Sequence, residues 1–207
     1  GAHWCDTGIG RAMHAAIPRA DGARVVTPDT IVAGILPEGA AVVFDDDHYY
    51  MGGLIAEKLR AAGREVTLVT PAADVSHFTH NTLEQERIQK RLLEMEVRIV
   101  PLHFVGAIAT DHVIARCNFT DRPQQIACDT FIPVTMRRPD DALFRDLQSL
   151  LDEDAGARAS LTRIGDCLAP GNIAAAVYGG HRYARELGEP VPNGAPFKRE
   201  IPALALD

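Results

Sequence analysis

The chain has 207 residues, room for one domain or two small ones, and 46% of them are hydrophobic against 24% charged, a globular composition able to bury a core. Lys and Arg total 21 and Asp and Glu 28, a formal charge of −7 without basic clusters, which argues against nucleic acid or an anionic membrane as the main partner. No apolar run approaches the roughly 18 residues of a membrane span, no signal peptide is visible, and Cys5, Cys117, Cys128 and Cys167 are too scattered for a zinc knuckle or disulfide framework; a cytoplasmic, reduced protein is expected.

The chain opens GAHWCDTG, with Met13 as its first methionine and no helix or strand pattern at the start, and so reads as the interior of a longer sequence. Residues 1–39 are rich in Gly, Pro, Asp and Thr and read as connecting structure, with a short helix from Thr30 to Leu36 capped by Asp29 or Thr30. Ala40 to Phe44 is a continuous apolar run of strand length, the pattern of a strand buried on both faces. In the GGLIAEKLRAAG segment that follows, Ile55, Leu59 and Ala62 share a helical face and Gly63 stands at the C-cap. Glu65 to Val69 is a second strand, which completes a βαβ unit.

Asn81 and Glu84 match the spacing of a capping box ahead of a helix to about Glu96, with Ile88, Leu92 and Met95 as its apolar stripe. Val97–Val100, Val105–Ala109, Val113–Asn118 and Gln125–Ala127 then read as an antiparallel meander, with turns at Thr110-Asp111 and Asp121-Arg122-Pro123. Phe131 to Met136 is a further strand, and a helix covers Ala142 to Leu151. Leu161 to Ile164 reads as a short strand ending in Gly165-Asp166. Pro170-Gly171-Asn172 then introduces a helix whose small residues Ala176, Gly180 and Ala184 permit close approach to a sheet. From Pro190 on, the tail is expected to wrap an external surface.

The turn after the first long strand decides what this βαβ unit can bind. A dinucleotide-binding turn is Gly-x-Gly-x-x-Gly, because the pyrophosphate lies on bare backbone at a helix N-terminus. Here the turn is Asp45-Asp46-Asp47-His48-Tyr49-Tyr50: the glycines are gone and two rings stand at the place of close approach. One carboxylate about 6 Å from a phosphate charge repels it by roughly 3 kcal/mol at an effective dielectric near 20, which outweighs a helix-terminus attraction of about 1 kcal/mol. No acidic residue follows the second strand to hold a ribose, since Val69 precedes Thr70-Pro71. Two other readings of the acidic turn stand beside each other. One is a solvated turn whose carboxylates cap a helix. The other is a Mg²⁺-dependent, haloacid-dehalogenase-like phosphatase with Asp45 as nucleophile, Asp47 as general acid and Asp166 as distal metal-binding acid, although Tyr49 stands where those enzymes keep a small residue.

The remaining candidates are weaker. His77-x-x-His80 places two imidazoles close together without an obvious third ligand and reads as surface histidines. Cys117 and Cys128 lie in facing strands of the meander, where buried cysteines commonly act as small hydrophobes. Trp4 reads as packing. There is no Gly-x-Ser-x-Gly elbow and no Cys–His pair.

Taken in order, TGIGR after GAHW, VVFDDDHYYMGGLIAEKLRAAGREVTLVTP, HFTHNTLEQERIQKRLLEMEV and IGDCLAPGNIAAAVYGGHRYARELG resemble the C-terminal region of the trimethylamine dehydrogenase family of iron–sulfur flavoproteins. The resemblance covers nearly the whole chain, and the Asp-rich turn is more like its amine dehydrogenase branch than its NADPH-using reductases. It implies a Rossmann-like, three-layer α/β fold of the FAD/NAD(P)-binding type with an antiparallel meander. Residues 37–135 would form a degenerate NAD(P)H-type domain, and residues 1–36 and 136–207 the trailing parts of a second, partial FAD-type domain. Gly165 and Asp166 match the late Gly-Asp motif of such domains, and Asn172 and Ile173 would open the helix that points at the flavin or ADP diphosphate. The parent enzyme would carry FMN, a 4Fe–4S cluster and ADP or FAD, with the FMN and the cluster in an N-terminal barrel upstream of Gly1. The resemblance thus implies a non-catalytic fragment of an oxidoreductase with no catalytic or metal-binding residues and no cofactor of its own. Its partners would be that missing barrel and an adenine nucleotide, and its surfaces leave room for a homo-oligomer.

Overall fold

The computed structural model describes residues 1–153 and 160–188. Residues 1–140 form one compact unit, and a second begins at Asp141.

In the first unit, strand β1 (Ala2–Trp4) begins almost at the N-terminus, where the composition predicted only connecting structure; three residues are too few to show a period. Helix α1 (Pro28–Val32) starts earlier than expected, with Pro28 in its first turn and Thr27 as N-cap, because proline's fixed φ suits that position. Strand β2 (Ala41–Asp45) is buried along its whole length, as its apolar run requires. Helix α2 (Tyr50–Ala61) follows, and Gly63 just past its end has φ +77°, the left-handed conformation of a glycine C-cap. Strand β3 (Val66–Val69) pairs parallel to β2, in register Val42↔Thr67.

Helix α3 (Gln85–Glu94) does not use the expected capping box. Asn81 lies in a separate 3₁₀ turn, His77–Thr82, and Glu84 is the N-cap without a side-chain cap bond. Leu83, at φ +60°, breaks the chain between the two. Strand β4 (Arg98–Val100) is not part of the meander. It pairs parallel to β3 through Thr67↔Arg98, and the meander begins one strand later with β5 (His103–Ile108), β6 (His112–Cys117) and β7 (Pro123–Ala127), antiparallel throughout. In its register Cys117 lies at the Pro123 end of the β6–β7 pair and Cys128 just beyond its Ala127 end, so the two thiols do not face each other. All four cysteines are free. Strand β8 (Thr130–Val134) returns to pair parallel with β2, giving the order β4-β3-β2-β8; Pro133, which has no N–H, is tolerated at this edge. Strand β9 (Arg137–Pro139) closes the unit by pairing antiparallel with β1.

The alternation of β2 explains the layers. Ala41 and Val43 face Ile31 of α1, Ile55 and Leu59 of α2 and Leu92 of α3. Val42 and Phe44 face Val105, Ile108, Val113, Ala115 and Ile126 of the meander, and Phe44 stacks on Phe131 at 6.3 Å. At about 1.5–3 kcal/mol for each aliphatic or aromatic side chain fully removed from water, these two faces hold the parallel sheet as the middle of three layers. Trp4 packs at the margin of the helical face, with the Arg137 guanidinium 5.1 Å from its ring.

In the second unit, helix α4 (Ala142–Glu153) is anchored at its start by Asp141, which lies 2.8 Å from Arg145 and also pairs with Arg163. Residues 161–164, expected as a short strand, form none, although Ile164 is extended. A 3₁₀ turn at Gly165–Cys167 leads to helix α5 (Ile173–Glu186). Within this unit, Ala176 and Gly179 of α5 approach that turn: a Cβ on Gly165 would lie 3.9 Å from the Ala176 Cβ, and one on Gly179 3.8 Å from the Gly165 nitrogen. The expected wrapping tail from Pro190 lies outside the described residues.

Candidate functional site

The C-terminal ends of parallel strands are where open α/β sheets bind ligands, and β2 ends there in Asp45. The chain leaves the strand by two backbone bonds, with the N–H groups of Asp46 and Asp47 both donating to Val134 O, at 2.9 and 3.0 Å. His48 then adopts φ +64°, which reverses the chain so that its own N–H donates to Asp45 Oδ1 at 3.0 Å. Asp45 and Asp46 are 0% and 1% exposed, so the solvated-turn reading is corrected. Burial has a visible cause: residues 8–13 fold over the turn, with Ala12 N–H donating to Asp46 Oδ2 at 2.8 Å. On its other side Asp46 Oδ1 lies 3.4 Å from His48 Nε2, and His48 Nδ1 lies 3.4 Å from the Thr70 hydroxyl.

The Asp45 carboxyl rests on the first turn of α2. A Cβ built on Gly52 would fall 2.4 Å from its Cγ and 2.7 Å from Oδ2, so only a glycine fits beneath it. A glycine at a helix N-terminus that lets an anionic oxygen sit on bare backbone is the arrangement that receives a pyrophosphate in dinucleotide-binding units. Here a side chain of the protein fills it. The occupant was expected to be the aromatic pair, but Tyr50 turns outward, where its hydroxyl bonds Glu84 and lies 3.3 Å from that of Thr82. Tyr49 packs edge-on against the Tyr50 ring at 4.3 Å.

Burial pushes the Asp45 carboxyl up to about 7, with His48 opposing the shift and Asp47 and Asp46 adding to it. Asp45 Oδ2 has no hydrogen-bond partner. Asp47, half-buried, is raised in the same direction by burial, against the pull of Arg137 and Arg11. Asp45 is fully buried and offers a phosphate ester no approach, so the geometry gives the Asp45/Asp47 hydrolase reading no support.

The residues matched to the late Gly-Asp motif are brought together at the entrance of α5. Gly165 has φ +67°, a conformation that costs a residue with a Cβ about 1–2 kcal/mol. Asp166 Oδ1 accepts from Gly171 N–H at 3.1 Å, which closes the loop ahead of the helix. Asn172 is the N-cap, its side chain accepting from Ala175 N–H at 2.9 Å, and Ile173 is 84% exposed. Three of the four thus shape the helix entrance, and the fourth presents an apolar surface to solvent.

A third cluster lies in the loop after β3. His77 and His80, read from their spacing as surface histidines, flank a carboxylate: His77 Nδ1 is 2.7 Å from Asp74 Oδ1, and His80 Nε2 is 2.7 Å from Asp74 Oδ2. The sequence does hold the third member, as Asp-x-x-His-x-x-His; it is found by extending the three-residue spacing one step towards the N-terminus.

Comparison with known proteins agrees with this architecture. The family model described as the OYE-like second alpha/beta domain matches residues 26–121. Dimethylamine dehydrogenase of Hyphomicrobium sp. (strain x) is 30% identical over 97% of the chain. The chain is homologous to a C-terminal portion of the amine dehydrogenase flavoproteins. Among solved structures, histamine dehydrogenase from Rhizobium sp. 4-9 is 43% identical over 99% of the chain, with a TM-score of 0.90. The 6-hydroxypseudooxynicotine amine oxidase of Pseudomonas geniculata N1 is 38% identical over 91%, with a TM-score of 0.84. The chain spans only 30%, 32% and 28% of these three proteins. A flavoprotein disulfide reductase of Escherichia coli, 16% identical with a TM-score of 0.53, shares the fold alone. No helix among the described residues is long and apolar enough to cross a membrane.

Proposed function

We propose that this chain is a non-catalytic portion of an amine-dehydrogenase-like flavin oxidoreductase, in which the NAD-type unit has become structural and an adenine nucleotide is held by the FAD-type part. The observation that carries the reading is the Asp45 carboxyl seated on Gly52. The βαβ frame that would receive a dinucleotide is retained, and the receiving surface is taken by the chain itself. Substrate oxidation, FMN and the 4Fe–4S cluster then belong to other parts of a parent chain, whose barrel is the main partner.

For the nucleotide, the entrance of α5 supplies suitable chemistry. The first turn of a helix leaves N–H groups without intrahelical acceptors and carries partial positive charge. Gly165 keeps the neighbouring backbone bare, Asp166 and Asn172 fix the loop and helix start, and exposed Ile173 offers an apolar contact for a ring. ADP, or the ADP half of FAD, suits this set.

Titration calorimetry of the purified chain tests both halves. NADH and NADPH should give no saturable heat, whereas ADP should bind, with affinity reduced at least about tenfold in Asp166→Ala. Saturable NADH binding would overturn the closed site, and ADP binding that is absent or indifferent to Asp166→Ala would overturn the nucleotide assignment. Visible absorbance from stoichiometric flavin in the purified chain would contradict the fragment's lack of FMN.

A further inference from the structure

The loop after β3 presents a feature that the nucleotide reading leaves unused. From Asp74 to His80 the side chains sort with a period of three. Val75, Ser76 and Thr79 are fully buried, while Asp74, His77 and His80 point outward with side-chain exposures of 23%, 48% and 50%. In a 3₁₀ turn, residues three apart eclipse one another, so His77 and His80 meet edge-on with ring centroids 5.2 Å apart, and Asp74, one step earlier, pairs with a nitrogen of each. One ligand atom from each residue lies within 4.8 Å of the others.

The loop is also held in place from behind. Val75 N–H donates to Gln89 Oε1 at 3.2 Å, and the Gln85 amide donates to Val75 O at 3.1 Å, so helix α3 grips the backbone beside Asp74. Thr79 Oγ1 donates to Ser76 O at 2.7 Å. Phe78 N–H donates to His48 O at 2.9 Å, and its ring sits edge-on to His48 at 5.7 Å and beneath the Arg11 guanidinium at 4.9 Å. The three outward groups therefore stand on a fixed backbone.

We propose that Asp74, His77 and His80 form a binding site for a borderline divalent transition-metal ion, of which Zn²⁺ is the representative. Two imidazoles and one carboxylate are a donor set suited to Zn²⁺, at distances of about 2.0–2.2 Å. The ion takes the place of the hydrogens now shared between Asp74 and the two rings: in a neutral imidazole the proton moves to the ring's other nitrogen, and an imidazolium releases one proton to solvent. Three protein ligands leave a fourth tetrahedral position, open to water or to a donor from another molecule, because the histidines face solvent.

The test is titration of the intact chain with Zn²⁺, read both by calorimetry and by the imidazole C–H resonances. One ion per chain is expected. His77 and His80 resonances should shift on its addition while those of His103 and His112 stay in place, and Asp74→Asn and His80→Ala should each weaken binding at least about tenfold. Cys117→Ser should leave affinity unchanged. Co²⁺ in the same site should give a visible d–d band that is lost in His80→Ala. Absence of saturable binding to the unmodified chain would overturn the proposal. So would binding that survives the combined Asp74→Asn, His77→Ala and His80→Ala replacements, or resonance shifts at other histidines only. Because the resonances are read on the unmodified chain, the result does not depend on whether a variant folds.

Discussion

The two helix entrances of this chain have opposite designs. At α2 the preceding loop is buried, a carboxyl lies against a glycine that cannot accept a Cβ, and residues 8–13 close the space above it. At α5 the loop is organised by Asp166 and Asn172, the glycine is needed for its φ and not for the space beside it, and the first helical residue faces solvent. A helix N-terminus attracts anions in either case. What differs is whether the protein's own side chain has already answered that attraction.

The comparison predicts where substitutions hurt. Gly52→Ala should have the largest effect, about 3 kcal/mol of lost stability in urea unfolding, since the new Cβ overlaps the Asp45 carboxyl in a packed interior. A cost under about 0.5 kcal/mol would show that Asp45 is free to move aside. Next is the pH dependence. A carboxyl raised from 3.8 to about 7 in the folded chain favours the fold fully below the unfolded value, and that stability is lost as pH rises through 7. Between pH 5 and 8 the loss should come to about 2 kcal/mol, and Asp45→Asn should flatten the slope. An unchanged slope in Asp45→Asn would assign the titration elsewhere. The smallest effect should be Asn172→Ala, about 1 kcal/mol for a lost N-cap. It should appear as faster amide exchange in the first turn of α5, with α2 unaffected; equal loosening of both helices would erase the distinction.

The parts legible from sequence were those whose pattern repeats within a few residues. The β2 run, the α2 face with Gly63 behind it, and the turn at Thr110-Asp111 all carry their information locally, whereas the turn expected at Asp121-Arg122-Pro123 lies three residues earlier, at 118–120, and Pro123 opens β7. Strands β1 and β9 did not, because three residues show no period and each exists through its pairing with the other. β4 was misplaced for a similar reason: a short apolar strand does not announce which neighbour it will join, and here the nearer choice in sequence was wrong. Of the acidic turn, the sequence showed the loss of the glycine fingerprint. It did not show the burial, which depends on Ala12 reaching Asp46 across 34 residues. Asp74 was overlooked because the two histidines were read as a pair, although the period that joins them continues one step further.

The seating of Asp45 on Gly52 has one more consequence. A ligand that is covalently part of the chain has no dissociated state to be drained by dilution, and no competitor added from outside meets it on equal terms. Where a freely exchanging coenzyme would make this pocket respond to the ratio of its oxidised and reduced forms, the proposed closure by a tethered carboxyl would make it indifferent to that ratio. Proton concentration remains a variable to which the pocket responds, and replacement of the tether, not supply of coenzyme, is what would reopen it.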